Sequence, residues 1–384
     1  MPSELLNYSL PVIGKPEREM VSKVLQTKSV SQGAYLRDFE NQLAHYCGVK
    51  HAVAVSSGSA ALHLAYLAAG IKPGDQVVIP AVTFASTAAS ALHCGADPVL
   101  GDISPENLAL DTRKVKSLLN SEAINPKLIV PVSMGGYGYD RQEIHRIAGE
   151  YQIPVIADLS HAMGTEYREE SGGWLPFTDG RFELAGVVSF QALKNITTGE
   201  GGAVLTNDEE FAEEVRKFRN HGIQSGNLQD EPWRYDIINP GFNYRISEMQ
   251  CAMGVAQLRQ LPEFQKNRKK LVDNYFQAFR GVDEIGLPPQ QDKYRNSWHL
   301  FIIRIPERKK LYDRLMKAGY KCQVHYVPLH YLTFMKPYAR KVPTDLSASE
   351  KYYQQCLSLP LFPDLEQRHQ DEIIRMVKDH LGAV

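Results

Sequence analysis

Three short segments carry side chains of the types that do chemistry, and each follows an apolar run. The first, residues 53–62, is predicted to be a strand that enters a hydroxyl-rich turn, Ser56–Ser59, and then a helix. Such a turn presents free backbone N–H groups and hydroxyls at the positive end of a helix, which would suit a phosphate. An ordinary capped helix after a strand explains the same residues. Dinucleotide and P-loop interpretations lose support because the turn lacks both glycine patterns.

The second segment, residues 155–162, places an acid at the carboxyl end of an apolar strand, where open α/β sheets bind their ligands. A carboxylate at Asp158 would hold a proton on a pyridine nitrogen and so make that ring an electron sink. Asp158 would equally serve as the cap of the following helix. His161, three residues later, has a second interpretation as a hydrogen-bonded core histidine.

The third segment, Ser189–Gly202, places Lys194 between a buried strand and a turn that is dense in glycine and hydroxyls. A lysine in such a place costs desolvation energy unless it is paired, neutral or covalently used. Schiff-base chemistry uses a lysine of this kind, whose pKa is lowered by its surroundings. The alternative is an exposed loop lysine. The three segments together would provide an anion cradle, a pyridinium partner and an imine lysine, a far more specific combination than any one segment.

The elements that must position these segments are read from the hydrophobic pattern. Short apolar, β-branched runs predict seven strands, at residues 52–55, 76–79, 98–101, 128–132, 154–157, 186–190 and 202–205. Most of them are separated by stretches of helical periodicity, such as residues 60–68. This alternation predicts parallel strands with crossover helices, that is, an α/β fold.

The second half of the chain predicts a further, smaller lobe. Residues 246–279 have a helical pattern that breaks at Pro262 and could connect two lobes. Beyond it, residues 298–305 and 323–327 are predicted strands and residues 309–319 a helix. Because single cores stop growing near roughly 250–300 residues, the 384-residue chain is expected to form two domains, 1–260 and 261–384.

Composition excludes several classes of partner. Lys plus Arg number 43 against 44 Asp plus Glu, so no basic excess exists to drive binding to nucleic acid. No window approaches the ~20 apolar residues of a membrane span, so no membrane partner and a cytoplasmic location are expected. The five cysteines are odd in number and form no C-x-x-C pair, which indicates reduced, structural thiols. His325 and His330 lack neighbouring partners for a metal site, and no metal is expected.

The motifs resemble those of the DegT family of sugar aminotransferases, which have the type I fold of enzymes that use pyridoxal 5′-phosphate. The resemblance covers nearly the whole chain and rests on residues 8–11, 31–33, 56–62, 158–161, 189–202 and 241–248. It implies a large α/β/α domain with a mainly parallel seven-stranded sheet and a smaller C-terminal α/β domain. It also implies pyridoxal 5′-phosphate as the cofactor.

The resemblance also implies roles for single residues. Lys194 matches the lysine that forms the Schiff base with the cofactor and then moves the proton between cofactor and substrate carbons. Asp158 matches the acid at the pyridine nitrogen, and His161 the residue near the ring hydroxyl. Phe84 matches the aromatic residue that stacks on the ring.

Further matches concern the phosphate and the quaternary structure. Gly58, Ser59 and Ser189 match positions that bind the cofactor phosphate. Asn243 matches an asparagine that reaches the phosphate in the neighbouring subunit, so the resemblance implies a homodimer with shared active sites. Three places depart from the usual pattern. Ser59 stands where threonine is frequent, Gln191 stands where histidine is common, and residues 158–161 differ from the frequent Asp-Ala-Ala form.

The sequence of residues 160–167 is similar to that found in a subgroup of these enzymes. The subgroup aminates C4 of UDP-linked 4-keto-6-deoxy-hexosamines on the route to pseudaminic acid. The resemblance therefore implies transfer of the amino group of L-glutamate to a nucleotide-linked keto-sugar, for cell-surface polysaccharide or glycan synthesis. Two alternatives are a cofactor-dependent sugar dehydratase, in which relatives carry histidine in place of the lysine, and a catalytically inactive regulatory homologue. The sequence does not determine which nucleotide the sugar carries, which epimer the sugar is, or whether C3 or C4 is aminated. It also leaves open whether His325, Tyr326 and His330 flank a substrate or pack in the core.

Overall fold

The computed structural model describes residues 5–121, 123–225, 233–339, 341 and 344–382. The α-helices of this part of the chain are α1 Lys15–Thr27, α2 Ala34–Cys47, α3 Gly58–Ala68, α4 Ala85–His93, α5 Thr112–Asn120, α6 Arg141–Glu150, α7 Glu209–Arg219, α8 Glu248–Phe279, α9 Arg308–Lys317, α10 Lys336–Ala339, α11 Ser347–Gln355 and α12 Gln367–Leu381. The strands are β1 His51–Val55, β2 Gln76–Pro80, β3 Asp97–Gly101, β4 Pro126–Ile129, β5 Ile156–Asp158, β6 Glu166–Arg168, β7 Trp174–Pro176, β8 Ala185–Ser189, β9 Gly202–Thr206, β10 Ile223–Ser225, β11 Tyr235–Ile237, β12 Tyr294–Arg295, β13 Phe301–Arg304 and β14 Cys356–Leu359.

The seven strands predicted from the first half of the chain all form, and they make one central sheet. Two hydrogen-bonded blocks, β1-β9-β8-β5 and β3-β2-β4, are joined by parallel bridges from Ile129 to Val155 and from Val132 to Asp158. Only β9 runs antiparallel to its neighbours in this sheet. The predicted mainly parallel seven-stranded sheet is confirmed.

Both faces of the sheet are covered by helices, because successive side chains of a strand point to opposite faces. Along β1, Ala52 and Ala54 join a hydrophobic cluster with residues of α2 and α8. Val53 and Val55 join another cluster, with residues of α3 and α7. A parallel strand buried on both faces has an almost continuous apolar sequence, which explains why these runs were recognisable.

Helix α8 differs from its prediction. It runs without interruption through Pro262 for 32 residues, so the predicted break is wrong. Proline removes one helical hydrogen bond, but the buried side chains of Leu258, Leu261 and Phe264 hold the helix on both sides of it. Val255 of α8 packs in the cluster on the sheet, whereas Tyr275 packs in a third cluster with β13, β14, α9 and α12. Because α8 is continuous across residue 260, the domain boundary there stays a prediction.

The strand predicted at residues 323–327 does not form. Gln323 makes a single antiparallel bridge to Ser358, and the chain then turns towards the large sheet. The partner of β13 is instead β14, which pairs Phe301 with Leu359 and Arg304 with Cys356. Side chains of residues 323–327 can therefore line a cavity, because this segment is not part of a sheet.

Glu248, the first residue of α8, joins the N-terminal segment to the core. Its buried carboxylate accepts hydrogen bonds from the backbone N–H groups of Gly33, Tyr35 and Leu36, at 2.8 to 3.0 Å. These are the N–H groups at the start of α2, which have no partner within their own helix. A Cβ at Gly33 would come 2.6 Å from Glu248 Oε2, so the glycine permits this contact.

Two findings bear on the expected partners. Among the described residues, no helix is long and apolar enough to cross a membrane, and no group of three or more His, Cys, Asp or Glu side chains is placed to hold a metal ion. The five cysteines are all buried and free.

Candidate active site

The three segments singled out in the sequence meet at the carboxyl edge of the parallel strands, around a cavity of about 420 Å³. Seven of the eight predicted site residues line it: Gly58, Ser59, Phe84, Asp158, His161, Ser189 and Lys194. The eighth, Asn243, does not line it. The cavity also has a wall from the C-terminal part of the chain, formed by Gln323, His325 and Tyr326.

The turn between β1 and α3 has the geometry of an anion cradle. Ser57 caps α3, its hydroxyl accepting a hydrogen bond from the N–H of Ala60 at 3.0 Å. A Cβ at Gly58 would lie 2.9 Å from Cβ of Ser189, so glycine lets the start of the helix touch the end of β8. The hydroxyls of Ser59 and Ser189 thus line one cavity at the positive end of α3, which favours a bound anion.

Asp158 is a buried carboxylate at the end of β5. Its Oδ2 accepts a hydrogen bond from Thr87 Oγ1 at 3.0 Å, and its Oδ1 accepts one from the N–H of Ser160 at 3.1 Å. In the part of the chain that the structure describes, no lysine, arginine or histidine nitrogen lies within ion-pair distance of it. A buried charge without a partner is costly, so this carboxylate is suited to meet a cationic group in the cavity. A protonated pyridine nitrogen is such a group.

Lys194 lies in the tight connection between β8 and β9. Its N–H donates to the carbonyl oxygen of Gln191 at 2.9 Å, and the side chain of Asn195 donates to the carbonyl oxygen of Met163. Burial lowers the pKa of Lys194 to about 8, against the opposing charge of Asp158. A lysine with this pKa has a neutral, nucleophilic form available close to neutral pH.

This pKa gives a testable pH dependence. Only the neutral amine attacks an aldehyde, so the rate at which the apoprotein combines with pyridoxal 5′-phosphate should rise with pH, with its midpoint at about pH 8, and then level off. An ordinary lysine would still show a rising rate at pH 10. Stopped-flow absorbance between pH 6 and 10 measures this rate, with pyridoxal and butylamine as a reference reaction. A midpoint near 10 would contradict the assigned environment of Lys194.

His161 is buried beside the lysine and is held neutral. Burial, with a further effect from the nearby Lys194, takes its pKa well below the ordinary value. Its Nδ1 lies 3.2 Å from the N–H of Gly135, which must be the donor. Nδ1 is therefore the acceptor and Nε2 carries the proton, a tautomer assigned from this hydrogen bond. Nε2 lies 3.4 Å from the hydroxyl of Tyr326.

Two aromatic rings on the cavity wall, those of Phe84 and Tyr326, are in tilted contact. The ring of Phe84 is 57% exposed although it lies in a recess, and its centroid is 5.9 Å from that of Tyr326. An exposed apolar ring on a cavity wall is suited to stack on a flat ligand. The structure thus places Phe84 on the cavity wall, and its stacking on a cofactor ring stays a prediction.

The structure locates the three residues whose roles the sequence left open. His325 and Tyr326 line the cavity, and Nδ1 of His325 lies 2.8 Å from the hydroxyl of Ser358. Burial lowers the pKa of His325 to about 3, so it is neutral. His330 lies outside the cavity, with Nε2 3.2 Å from a carboxylate oxygen of Glu350.

Asn243 lies apart from the cavity of its own chain. It is exposed, and it forms an antiparallel bridge to Asn220. The flanking rings of Phe242 and Tyr244 stack with centroids 4.9 Å apart and fix the backbone on either side. Since the structure describes one protomer, the contact of Asn243 with a neighbouring subunit stays a prediction.

Sequence reasoning gave no role to Thr87 or Tyr8. Thr87 lies three residues after Phe84. The feature that could have indicated its role is a hydroxyl side chain within the alanine-rich sequence of α4. Tyr8 lines the cavity and packs edge-on against His325, with ring centroids 5.1 Å apart. Its position was visible in the N-terminal motif, but no local pattern indicated that this segment reaches the site.

Comparison with known proteins identifies the family. Residues 11–378 match the model of the DegT/DnrJ/EryC1/StrS aminotransferase family. The chain belongs to this family. The resemblance seen in the sequence is thereby confirmed, and this DegT-family chain is an aminotransferase.

Individual relatives cover almost the whole DegT-family chain. It is 34% identical to the spore coat polysaccharide biosynthesis protein SpsC of Bacillus subtilis, over 98% of this chain and 97% of the relative. Among solved structures, Helicobacter pylori PseC, an aminotransferase involved in the biosynthesis of pseudoaminic acid, is 28% identical with a TM-score of 0.88, over 99% of this chain and 100% of PseC. The PLP form of Spr1654 from Streptococcus pneumoniae, described as a putative sugar aminotransferase, is 26% identical with a TM-score of 0.88, over 98% of both chains. These neighbours confirm the type I fold, and the family is PLP-dependent.

Proposed function

We propose that this protein transfers the amino group of L-glutamate to a nucleotide-linked keto-sugar, with pyridoxal 5′-phosphate held in the cavity. The observation that carries this proposal is the meeting of Lys194, the unpaired buried carboxylate of Asp158 and the start of α3 on one cavity. Each of these features suits a different part of the same cofactor.

The residues fit the cofactor as follows. Ser59, Ser189 and the N–H groups at the start of α3 would hold the phosphate, and Gly58 lets the start of α3 lie against Ser189. Asp158, oriented by Thr87, would hold the proton on the ring nitrogen, and Phe84 would cover one face of the ring. When bound, the cofactor supplies an aldehyde and an electron-withdrawing ring.

Lys194 would act both as the covalent attachment point and as the proton carrier. Its Nζ would take the proton from Cα of glutamate, which would leave its nitrogen with the cofactor and, with oxygen from water, depart as 2-oxoglutarate. In the second half-reaction Nζ would deliver a proton to the former carbonyl carbon of the sugar, which takes the nitrogen. The lowered pKa of Lys194 suits this work, because efficient proton transfer needs a pKa near the working pH.

The substrate assignment rests on the relatives and on residues 160–167. SpsC is named for spore coat polysaccharide biosynthesis, and PseC for pseudoaminic acid. Together with the similarity of residues 160–167, these names favour amination at C4 of a UDP-linked 4-keto-6-deoxy-hexosamine. The product would serve cell-surface polysaccharide or glycan synthesis.

We further propose the organisation that the resemblance implied. Residues 1–260 would form the cofactor-binding domain and residues 261–384 the small domain. Two copies would form a homodimer in which Asn243 of one protomer reaches the phosphate in its partner's site. Five buried, free cysteines are typical of a protein in a reducing compartment, which supports a cytoplasmic location.

A panel of substrates tests the proposal. UDP- and dTDP-linked 3-keto and 4-keto sugars would each be incubated with the enzyme and L-glutamate, and 2-oxoglutarate release and product mass would be measured. We expect equimolar 2-oxoglutarate and an aminated sugar, with the UDP-linked 4-keto-6-deoxy-hexosamine preferred. Loss of water from the sugar without 2-oxoglutarate would indicate the dehydratase instead. Absence of any reaction, with no cofactor bound, would favour the regulatory homologue.

A further inference from the structure

His299 is a buried histidine directly behind His161. It is 4% exposed, and its ring centroid lies 4.3 Å from that of His161 with 42° between the ring planes. It is not among the residues that line the cavity. Burial, together with the nearby His161 and Lys194, takes its pKa well below the ordinary value, so it is neutral. Two uncharged imidazoles are thus packed against each other.

The segment Ser297–Leu300 is connected to His161 by hydrogen bonds in two places. The hydroxyl of Ser297 donates to the carbonyl oxygen of His161 at 2.8 Å. The N–H of Leu300 donates to the carbonyl oxygen of Gly135, whose own N–H donates to Nδ1 of His161. The backbone and the imidazole of His161 are therefore both tied, directly or through Gly135, to a segment about 136 residues away.

This segment is itself strained and needs to be held. Trp298 has φ of 52°, a left-handed conformation that non-glycine residues rarely adopt. Such strain persists only where the surroundings over-determine the conformation, and it concentrates at functional sites. Residues 297–300 therefore require an anchor.

Arg268 of α8 provides the anchor. Its buried guanidinium donates from Nη1 to the carbonyl oxygens of Trp298, His299 and Leu361, at 3.3, 3.4 and 3.0 Å. Within the described ranges no carboxylate lies at ion-pair distance from it, and burial lowers its pKa to about 10. A buried cation of this kind is costly and is here used to hold backbone carbonyl groups.

We propose that His299 is a positioning residue for the reaction, whose flat ring fixes the plane of the His161 imidazole. The hydrogen bond from Gly135 fixes the place of Nδ1, and the hydroxyl of Tyr326 lies 3.4 Å from Nε2, but these two contacts leave the ring free to rotate about the line that joins its two nitrogens. The ring of His299, packed against that of His161 with its plane inclined by 42°, restricts this rotation and so directs the Nε2 proton of His161. The proposal rests on the proposed function, in which His161 lies against the cofactor ring.

Two substitutions of similar volume distinguish the effect of a flat ring at position 299 from the effect of simply filling the space. His299→Phe keeps a flat ring without nitrogen, whereas His299→Leu fills the space without one. We expect His299→Phe to keep kcat within about 3-fold and His299→Leu to lower it about 10-fold, with KM for glutamate little changed, because small misorientations lower kcat. The pH midpoint of the bound cofactor's absorbance should shift in His299→Leu only. His330→Gln, which changes a histidine outside the cavity, is the matched control.

Equal losses in the two variants would overturn the proposal, because a nitrogen of His299 rather than its plane would then matter. Unchanged kcat and absorbance midpoint in a folded His299→Leu would overturn it as well. Should His299→Leu fail to fold, Ser297→Ala removes only the bond to the carbonyl of His161. It should shift the absorbance midpoint and lower kcat about 3-fold, and no change would overturn the proposal.

Failure of the proposed function is distinguishable from failure of this inference. If the wild-type protein released no 2-oxoglutarate with any sugar, the proposed function would be lost. Crystal structures of the three apoproteins, wild type, His299→Phe and His299→Leu, would still test the inference. The His161 ring should keep its plane in the first two and rotate in the third.

Discussion

Replacing Lys194 with alanine is expected to lower kcat by about 10,000-fold or more, because both the covalent attachment and the proton carrier are lost. The phosphate cradle is unchanged in this variant, so the cofactor should still bind. Its binding should be weaker because the covalent link to Lys194 is lost. The measurement is 2-oxoglutarate release with the preferred sugar, together with the visible absorbance of the protein. Lys217→Ala, which removes a surface lysine paired with Glu214 on α7, is the control and should keep full activity.

A chemical test of the same residue needs no variant. Borohydride should fix the cofactor irreversibly to Nζ of Lys194, and peptide mapping should find it on residue 194. Turnover by Lys194→Ala at the wild-type rate, or a map without modification at residue 194, would contradict the role assigned to this lysine.

Asp158→Asn is expected to lower kcat about 1,000-fold while leaving the fold intact. The amide occupies the same space but carries no negative charge, so it cannot hold a proton on the ring nitrogen, and removing a preorganised charge of this kind costs about 100- to 1,000-fold. Steady-state kinetics and the cofactor absorbance measure the effect. Thr87→Val is the companion variant: it keeps the carboxylate and removes one hydrogen bond to Oδ2. Its kcat should fall about 10-fold, in line with one bond to a charged group.

The order of these effects is the decisive feature. If Thr87→Val were as damaging as Asp158→Asn, the carboxylate would be structural rather than electrostatic. An Asp158→Asn enzyme with unchanged kcat would remove the carboxylate from the chemistry altogether.

The chemistry-bearing segments were predictable because each is local. A turn of small hydroxyl-bearing residues before a helix, an acid after a buried strand and a lysine after another are patterns of a few neighbouring residues. Parallel strands end at one edge of a sheet, so the pattern also predicted that these segments meet. Hydrophobic periodicity gave the seven strands for the same reason, since burial on both faces leaves a continuous apolar run.

Local patterns failed where distant packing decides the conformation. Pro262 breaks a helical pattern in the sequence, yet α8 is continuous because buried side chains on both sides hold it. Residues 323–327 have the composition of a strand, but β13 pairs with β14 instead. In both cases the local preference is worth a few kcal/mol at most, and tertiary contacts exceed it.

The sequence by itself determined the fold class, the family and seven of the residues that line the cavity. Only the tertiary structure decided how those residues are tuned: the hydroxyl that donates to Asp158, the tautomer of His161 and the packing of the His299 ring against it. These features come from contacts between residues 26 to 138 positions apart. Periodicity and composition record which residues are buried, but they do not record which distant residue each one meets.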